Sequence, residues 1–422
     1  MNDPKPDFTD ASHYKEAQAG NLRLLDEELI QDIDILFNAI STLYINDSET
    51  DQGLSQIIVA FREFLVRQEC WNALVNFEDL LSEKGKNNEF GIDNSLRKNG
   101  RTPNILHEIR NCMQSLSMVA TGQYDIDEYQ KHGGIDADMT ARLRHDSIED
   151  WAKTRQGLYL QMQENLNFLH ARGVIDDGTY YLKLIEAQKS AEAIDLMSSK
   201  EVKIDPETGE PVWKNQSKGK FEKVVRFPNA TNRYFYELQK NIFSLLGKYS
   251  DRTENVSTRL GNSGFDVQSN RVYCRKTRET YGLEDFQGTS VKMHPGFEDA
   301  IRASDAMLGL QVKVLECMNK YMSDDSYAPE YGEPINLKPY MPLALTAYEH
   351  MPQSMHPVCI MMDNLRIEAG DDMRLHAVID RLIVPPIMAA IKDHNLKPIQ
   401  GINHFLYPEN PANDAPFNLR QG

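Results

Sequence analysis

The stretch 139–155, MTARLRHDSIEDWAKTR, decides how the rest of the chain is read. Its spacing predicts a helix over 139–171, on which His145 and Glu149, like Asp146 and Asp150, stand four residues apart and project from one surface. An imidazole beside a carboxylate can ligate one divalent metal, and acids a turn further on can move protons or hold a water. A His-Asp dipeptide is weak evidence by itself, since in a chain with 11 histidines roughly one arises by chance. In isolation it reads better as a solvated helix face.

Two distant segments change the weighing. In 97–111, RKNGRTPNILHEIRN, a basic Gly/Pro-containing loop runs into a helix predicted over 104–120 that carries His107 in its first turns. In 247–261, GKYSDRTENVSTRLG, Asp251, Asn255 and Thr258 fall at i, i+4 and i+7 on one helix face, with Arg252 and Arg259 beside them. His107, His145, Asp146 and Asp251 together form a mixed nitrogen and oxygen set that suits manganese or iron and could accept zinc. His132, in a Gly-Gly loop, is the rival first histidine. His107 is preferred because it follows the basic loop and opens an apolar helix with Ile105, Leu106 and Ile109.

Composition limits what such a site can serve. The 422 residues are 41% hydrophobic and 26% charged, as in a folded protein of two or three domains. No apolar run approaches the roughly 20 residues that span a bilayer, and the opening MNDPKPDFTD lacks the marks of an export signal, so a cytoplasmic, soluble protein is expected. Five scattered cysteines without a CxxC pair suggest reduced thiols, not disulfides or a thiolate zinc site. A net charge of −17 argues against non-specific binding of nucleic acid or anionic lipid. An anionic ligand therefore needs a local basic site or a metal, and Arg97, Lys98, Arg101, Arg110, Arg142, Arg144, Lys153, Arg155, Lys248, Arg252 and Arg259 lie in or next to the three segments.

The expected fold is all-α. After a tail over 1–20, Leu22, Leu25, Leu29, Ile33, Leu36, Ile40 and Leu43 trace one helical stripe; Ile57, Ile58, Phe61, Phe64 and Leu65 trace another, and 71–81 a third, making 1–85 a helical extension. A central domain, 86–285, carries the site, with further helices over 178–198, 230–247 and 269–281 and a β-hairpin inserted near 201–214. Beyond it, 286–422 is a Met-rich extension with helices over 297–322, 341–350 and 371–394 and no legible chemistry. Lids, homo-oligomer contacts or a partner surface are all open to the flanks.

In order and register, the segments resemble the HD-type hydrolase domain of the RelA/SpoT family over roughly 86–285. The family's Arg-x-x-Gly-x-Pro loop and first histidine correspond to Arg97, Gly100, Pro103 and His107, and its HDxxED to His145, Asp146, Ser147, Ile148, Glu149 and Asp150. Its K-x-A-D-R-x-x-N-x-x-T motif corresponds to Lys248, Asp251, Arg252, Asn255 and Thr258, and a downstream E-T-x-x-Y-x-x-L element is echoed in 275–283, RKTRETYGL. The departures are one extra residue before His107, Glu108 where a proline is usual, Asn104 where an aromatic is usual, and longer spacers, including 121–138. The resemblance implies a manganese-dependent enzyme that removes the 3′-pyrophosphate of guanosine tetra- and pentaphosphate. It implies His107, His145, Asp146 and Asp251 as metal ligands and Glu149, Asp150 and Asn255 in catalysis. Arg97, Lys98, Arg101, Lys248, Arg252 and Thr258 would bind substrate. No synthetase segment follows residue 286. The alternatives are an HD hydrolase for another phosphorylated or pyrophosphorylated nucleotide, and a catalytically silent nucleotide sensor.

Overall fold

The structure is a computed structural model that describes residues 12–41, 50–84, 103–148, 153–216, 220–226, 231–258, 267–281, 294–324, 326, 328–352 and 354–393. Most of them are helical, as the all-α reading expects. Helices α1 (Ser12–Ser41), α2 (Thr50–Arg67) and α3 (Trp71–Lys84) lead in, with α1 starting inside the stretch expected to be a tail. Where the predicted stripes have described side chains they are buried: Leu29, Ile33, Leu36 and Ile40 of α1 share a core with Ile57, Ile58, Phe61 and Phe64 of α2, while Leu43 lies outside the described residues. Each such side chain contributes about 1.5–3 kcal/mol when fully buried.

The centre of the molecule is α4 (Asn104–Ala120), buried at every position from Ile105 to Val119. It packs against α1, α6 (Gly134–Leu143) and α10 (Ile242–Ser257), with α5 (Ile126–Lys131) in the connection to α6. The helix expected over 139–171 is broken. It ends at Leu143, residues 144–146 form a turn, and α7 (Arg155–Ala171) restarts where Thr154 accepts the Gly157 N–H at 3.0 Å as N-cap. The helix expected over 230–247 is likewise split into α9 (Thr231–Leu238) and α10, because Asn241 Oδ1 accepts from Phe243 N (2.9 Å) and Ser244 N (3.2 Å) and caps the second.

α8 (Asp177–Met197) leads into a small β-ribbon, larger than the hairpin expected near 201–214. A turn closed by the Ile204–Pro211 bridge is present, but β1 (Lys200–Val202) pairs with β4 (Lys223–Val225), and β2 (Trp213–Asn215) with β3 (Lys220–Phe221), all antiparallel. After α11 (Val267–Tyr281) come the long α12 (Glu298–Ser323), α13 (Met341–Thr346), α14 (Pro357–Ala369) and α15 (Met373–Val378). A π-turn over Ile379–Ile383 leads into α16 (Val384–Asp393). α12 and α14 both pack on α10, and one hydrophobic cluster runs unbroken from Leu29 to Ala390. All five cysteines are buried and free, and no helix of the described residues is long and apolar enough to cross a membrane.

Candidate metal centre

His107 leaves the first turns of α4, Asp251 the middle of α10, and His145 the turn that ends α6. All three side chains are buried, and their ligand-type atoms lie within 4.8 Å of one another. A single oxygen, Asp251 Oδ1, stands 3.5 Å from His107 Nε2 and 3.4 Å from His145 Nε2. An ion held about 2.1 Å from each donor would separate neighbouring donors by about 3.0–3.4 Å, so the two imidazole distances to Asp251 Oδ1 stand at the upper edge of what a ligand set needs. Asp146 Oδ2 lies 3.4 Å from His145 Nε2 but outside the trio. Among the described residues no other group of three His, Cys, Asp or Glu donors converges in this way.

The turn at His145 has a local cause. A helix ends with carbonyls that lack partners, and the imidazole Nδ1 takes one of them, Arg142 O, at 2.8 Å, with Glu108 Oε2 at 3.2 Å on the same nitrogen. That fixes the proton on Nδ1 and turns Nε2 toward the carboxylates, the orientation metal-binding histidines usually have. Nε2 is buried and forms no hydrogen bond of ordinary geometry. Burial alone would favour the neutral ring, but the carboxylates of Asp146, Glu108 and Asp251 override it and raise the His145 pKa well above the usual imidazole range. Burial would likewise raise Asp251, yet Lys248 and the two imidazoles hold its carboxyl well below the usual range. A cluster that draws in a proton so strongly is one where a divalent cation could take the proton's place.

The other expected site residues divide. Lys248 Nζ holds Asp251 Oδ2 at 2.8 Å, and Asn255 Nδ2 donates to Asp251 Oδ1 at 2.6 Å, so both steady the Asp251 carboxylate. The Arg252 guanidinium lies 4.8 Å over the Tyr273 ring of α11, and Thr258 Oγ1 donates to the Glu254 carbonyl at 2.8 Å. His132 packs against Phe243 and Phe297, with ring centroids 6.2 and 5.6 Å away, and is not part of the cluster. Arg97, Lys98, Arg101, Glu149 and Asp150 lie outside the described residues.

The expected surplus of cations around the site is partly spent inside the fold. Arg110 pairs with Glu254 (3.0 Å), Arg142 with Asp138 (2.8 Å) and Arg144 with Asp79 (3.2 Å), and all three arginines are buried. Arg142 also donates to Asn111 O at 3.2 Å and to Ser250 Oγ at 2.5 Å, tying α6 to both α4 and α10. The supporting roles of Glu108 and Arg142 are not evident from the sequence. The one hint is that Glu108 departs from the proline usual at that place. Asn111 could have been found, since His107–Asn111 repeats the i, i+4 spacing of Asp251–Asn255, and its Nδ2 lies 3.4 Å from His107 Nε2. No protein-family model, curated protein or solved structure matches the chain.

Proposed function

We propose that the chain is an HD-type metal-dependent phosphohydrolase that removes the 3′-pyrophosphate of guanosine tetra- and pentaphosphate, leaving GDP or GTP and pyrophosphate. The observation that supports this reading is the meeting of His107, His145 and Asp251, drawn from three motif-bearing segments, around one buried carboxylate oxygen. The two imidazoles and the carboxylate would hold a divalent ion, manganese by resemblance, with Asp146 at its side. Such an ion lowers the pKa of water and offsets charge on phosphoryl oxygens. Lys248 and Asn255 keep the Asp251 carboxylate ionised and aimed. Glu149 and Asp150 take a proton from the attacking water and return one to the ribose 3′-oxygen as its bond to phosphorus breaks. By the resemblance, Arg97 would stack on the purine and Lys98 and Arg101 would bind phosphate. A cytoplasmic setting goes with this substrate.

The inward-turned Arg110, Arg142 and Arg144 favour a second reading, an HD hydrolase for a less highly charged phosphorylated nucleotide. The test is incubation of manganese-loaded full-length protein with guanosine tetraphosphate and a panel of 3′-phosphorylated nucleotides, with products separated by anion exchange. GDP and pyrophosphate, with no 5′ cleavage, are expected. Consumption of another panel member alone would select the second reading. Binding without turnover would overturn both.

A further inference from the structure

Of the sixteen large apolar side chains that are exposed among the described residues, nine lie between Leu160 and Val225, on α7, α8 and the β-ribbon. α7 and α8 are an antiparallel pair joined by the short corner 172–176 around a small core of Leu166, Ile175 and Leu184, against which Trp71 of α3 packs. Leu160, Glu164 and Phe168 each stand two residues on from buried Leu158, Met162 and Leu166, which is about 200° around α7, and exposed Leu182 stands two residues before buried Leu184 of α8. These side chains therefore face away from the body of the fold. Val174 and Tyr181 add to the exposed apolar surface at the corner, and Trp213, Val224 and Val225 add to it on the ribbon. So much apolar surface on one side of a molecule marks an interface.

Charge says what covers it. The corner and the helix turns beside it, 159–182, carry three acids, Glu164, Asp176 and Asp177, against Arg172, a net −2. In the ribbon, 211–226 carry five bases, Lys214, Lys218, Lys220, Lys223 and Arg226, against Glu222, a net +4 in a chain of net −17. Glu164, Lys214 and Lys220 are exposed and form no ion pair with a described residue. The ribbon starts three residues after α8 ends, so the 21 residues of that helix set the acidic and basic ends about 30 Å apart. A two-fold contact uses the same patch twice, and two copies laid antiparallel place each acidic corner beside the other's basic ribbon while covering both apolar faces. A parallel setting would bring like charges together, and the lysines of β3 and β4 make the ribbon a poor template for its own twin. Two helices side by side present about 30 Å by about 20 Å, or about 600 Å² from each copy before the ribbon is added, close to the roughly 800 Å² per partner of a standard interface.

We infer that the outer face of α7, α8 and the β-ribbon joins two copies of this chain, antiparallel about a two-fold axis, with the corner of each on the ribbon of the other. The interface stands whether or not the metal centre turns over nucleotide. The test is sedimentation equilibrium of full-length protein at about 1–100 μM in about 0.1 M salt. It compares the parent, a Lys214→Glu/Lys220→Glu variant, a Glu164→Lys/Asp177→Lys variant and an equimolar mixture of the two variants. The parent should dimerise within this range. Each variant alone should dimerise at least about tenfold more weakly while keeping the parent's helical circular dichroism, because its corner and ribbon no longer attract. The mixture should associate more tightly than either variant alone, since it again offers an acidic corner to a basic ribbon. The inference is overturned if the parent stays monomeric throughout, if either variant dimerises like the parent, or if the mixture associates no better than its parts.

Discussion

Asp251 concentrates the chemistry of the centre in one side chain: Oδ1 faces two imidazoles and Asn255, and Oδ2 is held by Lys248. Asp251→Asn should therefore lower manganese affinity by more than about 100-fold while the far-ultraviolet circular dichroism stays that of a helical protein, because the substitution keeps shape and removes charge. Glu108 stands 3.2 Å from His145 Nδ1, the nitrogen turned away from Asp251, so Glu108→Gln should cost about 10–100-fold in metal affinity, read by the same titration. Arg142 tests the frame. Arg142→Met leaves the buried Asp138 carboxyl without its cation and should destabilise the protein by about 3–5 kcal/mol in urea unfolding, and adding Asp138→Asn, which can still accept from the Ser115 and Tyr129 hydroxyls, should recover part of that loss. At this scale the sequence was legible where a motif fixed residue type and spacing, as at His107, His145 and Asp251. It was silent on Arg142, since a buried and a solvated arginine are written with the same letter.

Between elements, what matters is which faces meet. α4 and α10 bury polar stripes as well as apolar ones, and Arg110–Glu254 and the Arg142 bridge join them, so the helices that carry His107 and Asp251 are held in register by directional bonds. Close approach does the same between α12 and α13. A Cβ on Gly309 would stand 2.5 and 2.8 Å from ring carbons of Tyr340, and an aromatic ring packed in a core cannot swing aside cheaply. Gly309→Ala should thus destabilise by about 1–2 kcal/mol in thermal or urea melts, even though alanine is worth up to about 1 kcal/mol over glycine in a helix interior. Periodicity and caps made α4, α8, α11 and α12 readable to within a few residues. α14 escaped notice for two physical reasons. Its first half is apolar all round, with Val358, Cys359, Ile360, Met361 and Met362 all buried, so no stripe stands out. Its N-cap is a histidine, His356 Nδ1 accepting from Val358 N at 3.2 Å, in place of the usual Ser, Thr, Asp or Asn.

The whole molecule should respond to pH and to metal through groups at the heart of this packing. Burial pushes the Asp305 carboxyl up to about 6, even though the Tyr249 hydroxyl donates to it at 3.0 Å. An unfolded carboxyl titrates near about 4, so the native state holds this proton more tightly, and stability falls as pH rises from about 4 to about 6 and then levels off. Asp305→Asn should remove that step, gaining about 1–3 kcal/mol at pH 8 and nothing at pH 3, as measured by denaturant unfolding across pH. Manganese at about 100 times its dissociation constant should add about 2.7 kcal/mol to the folded state and raise the melting temperature by a few degrees, with no shift in Asp251→Asn. The core from Leu29 to Ala390 also sets an order of events during translation. When Tyr281 has left the ribosome, the histidines and the aspartate exist, but the sides of α10 that α12 and α14 will cover still face water. Until those helices emerge and dock, the nascent chain shows a bare oily flank to chaperones, and a cation that arrives early meets loose, hydrated side chains in place of a dry pocket.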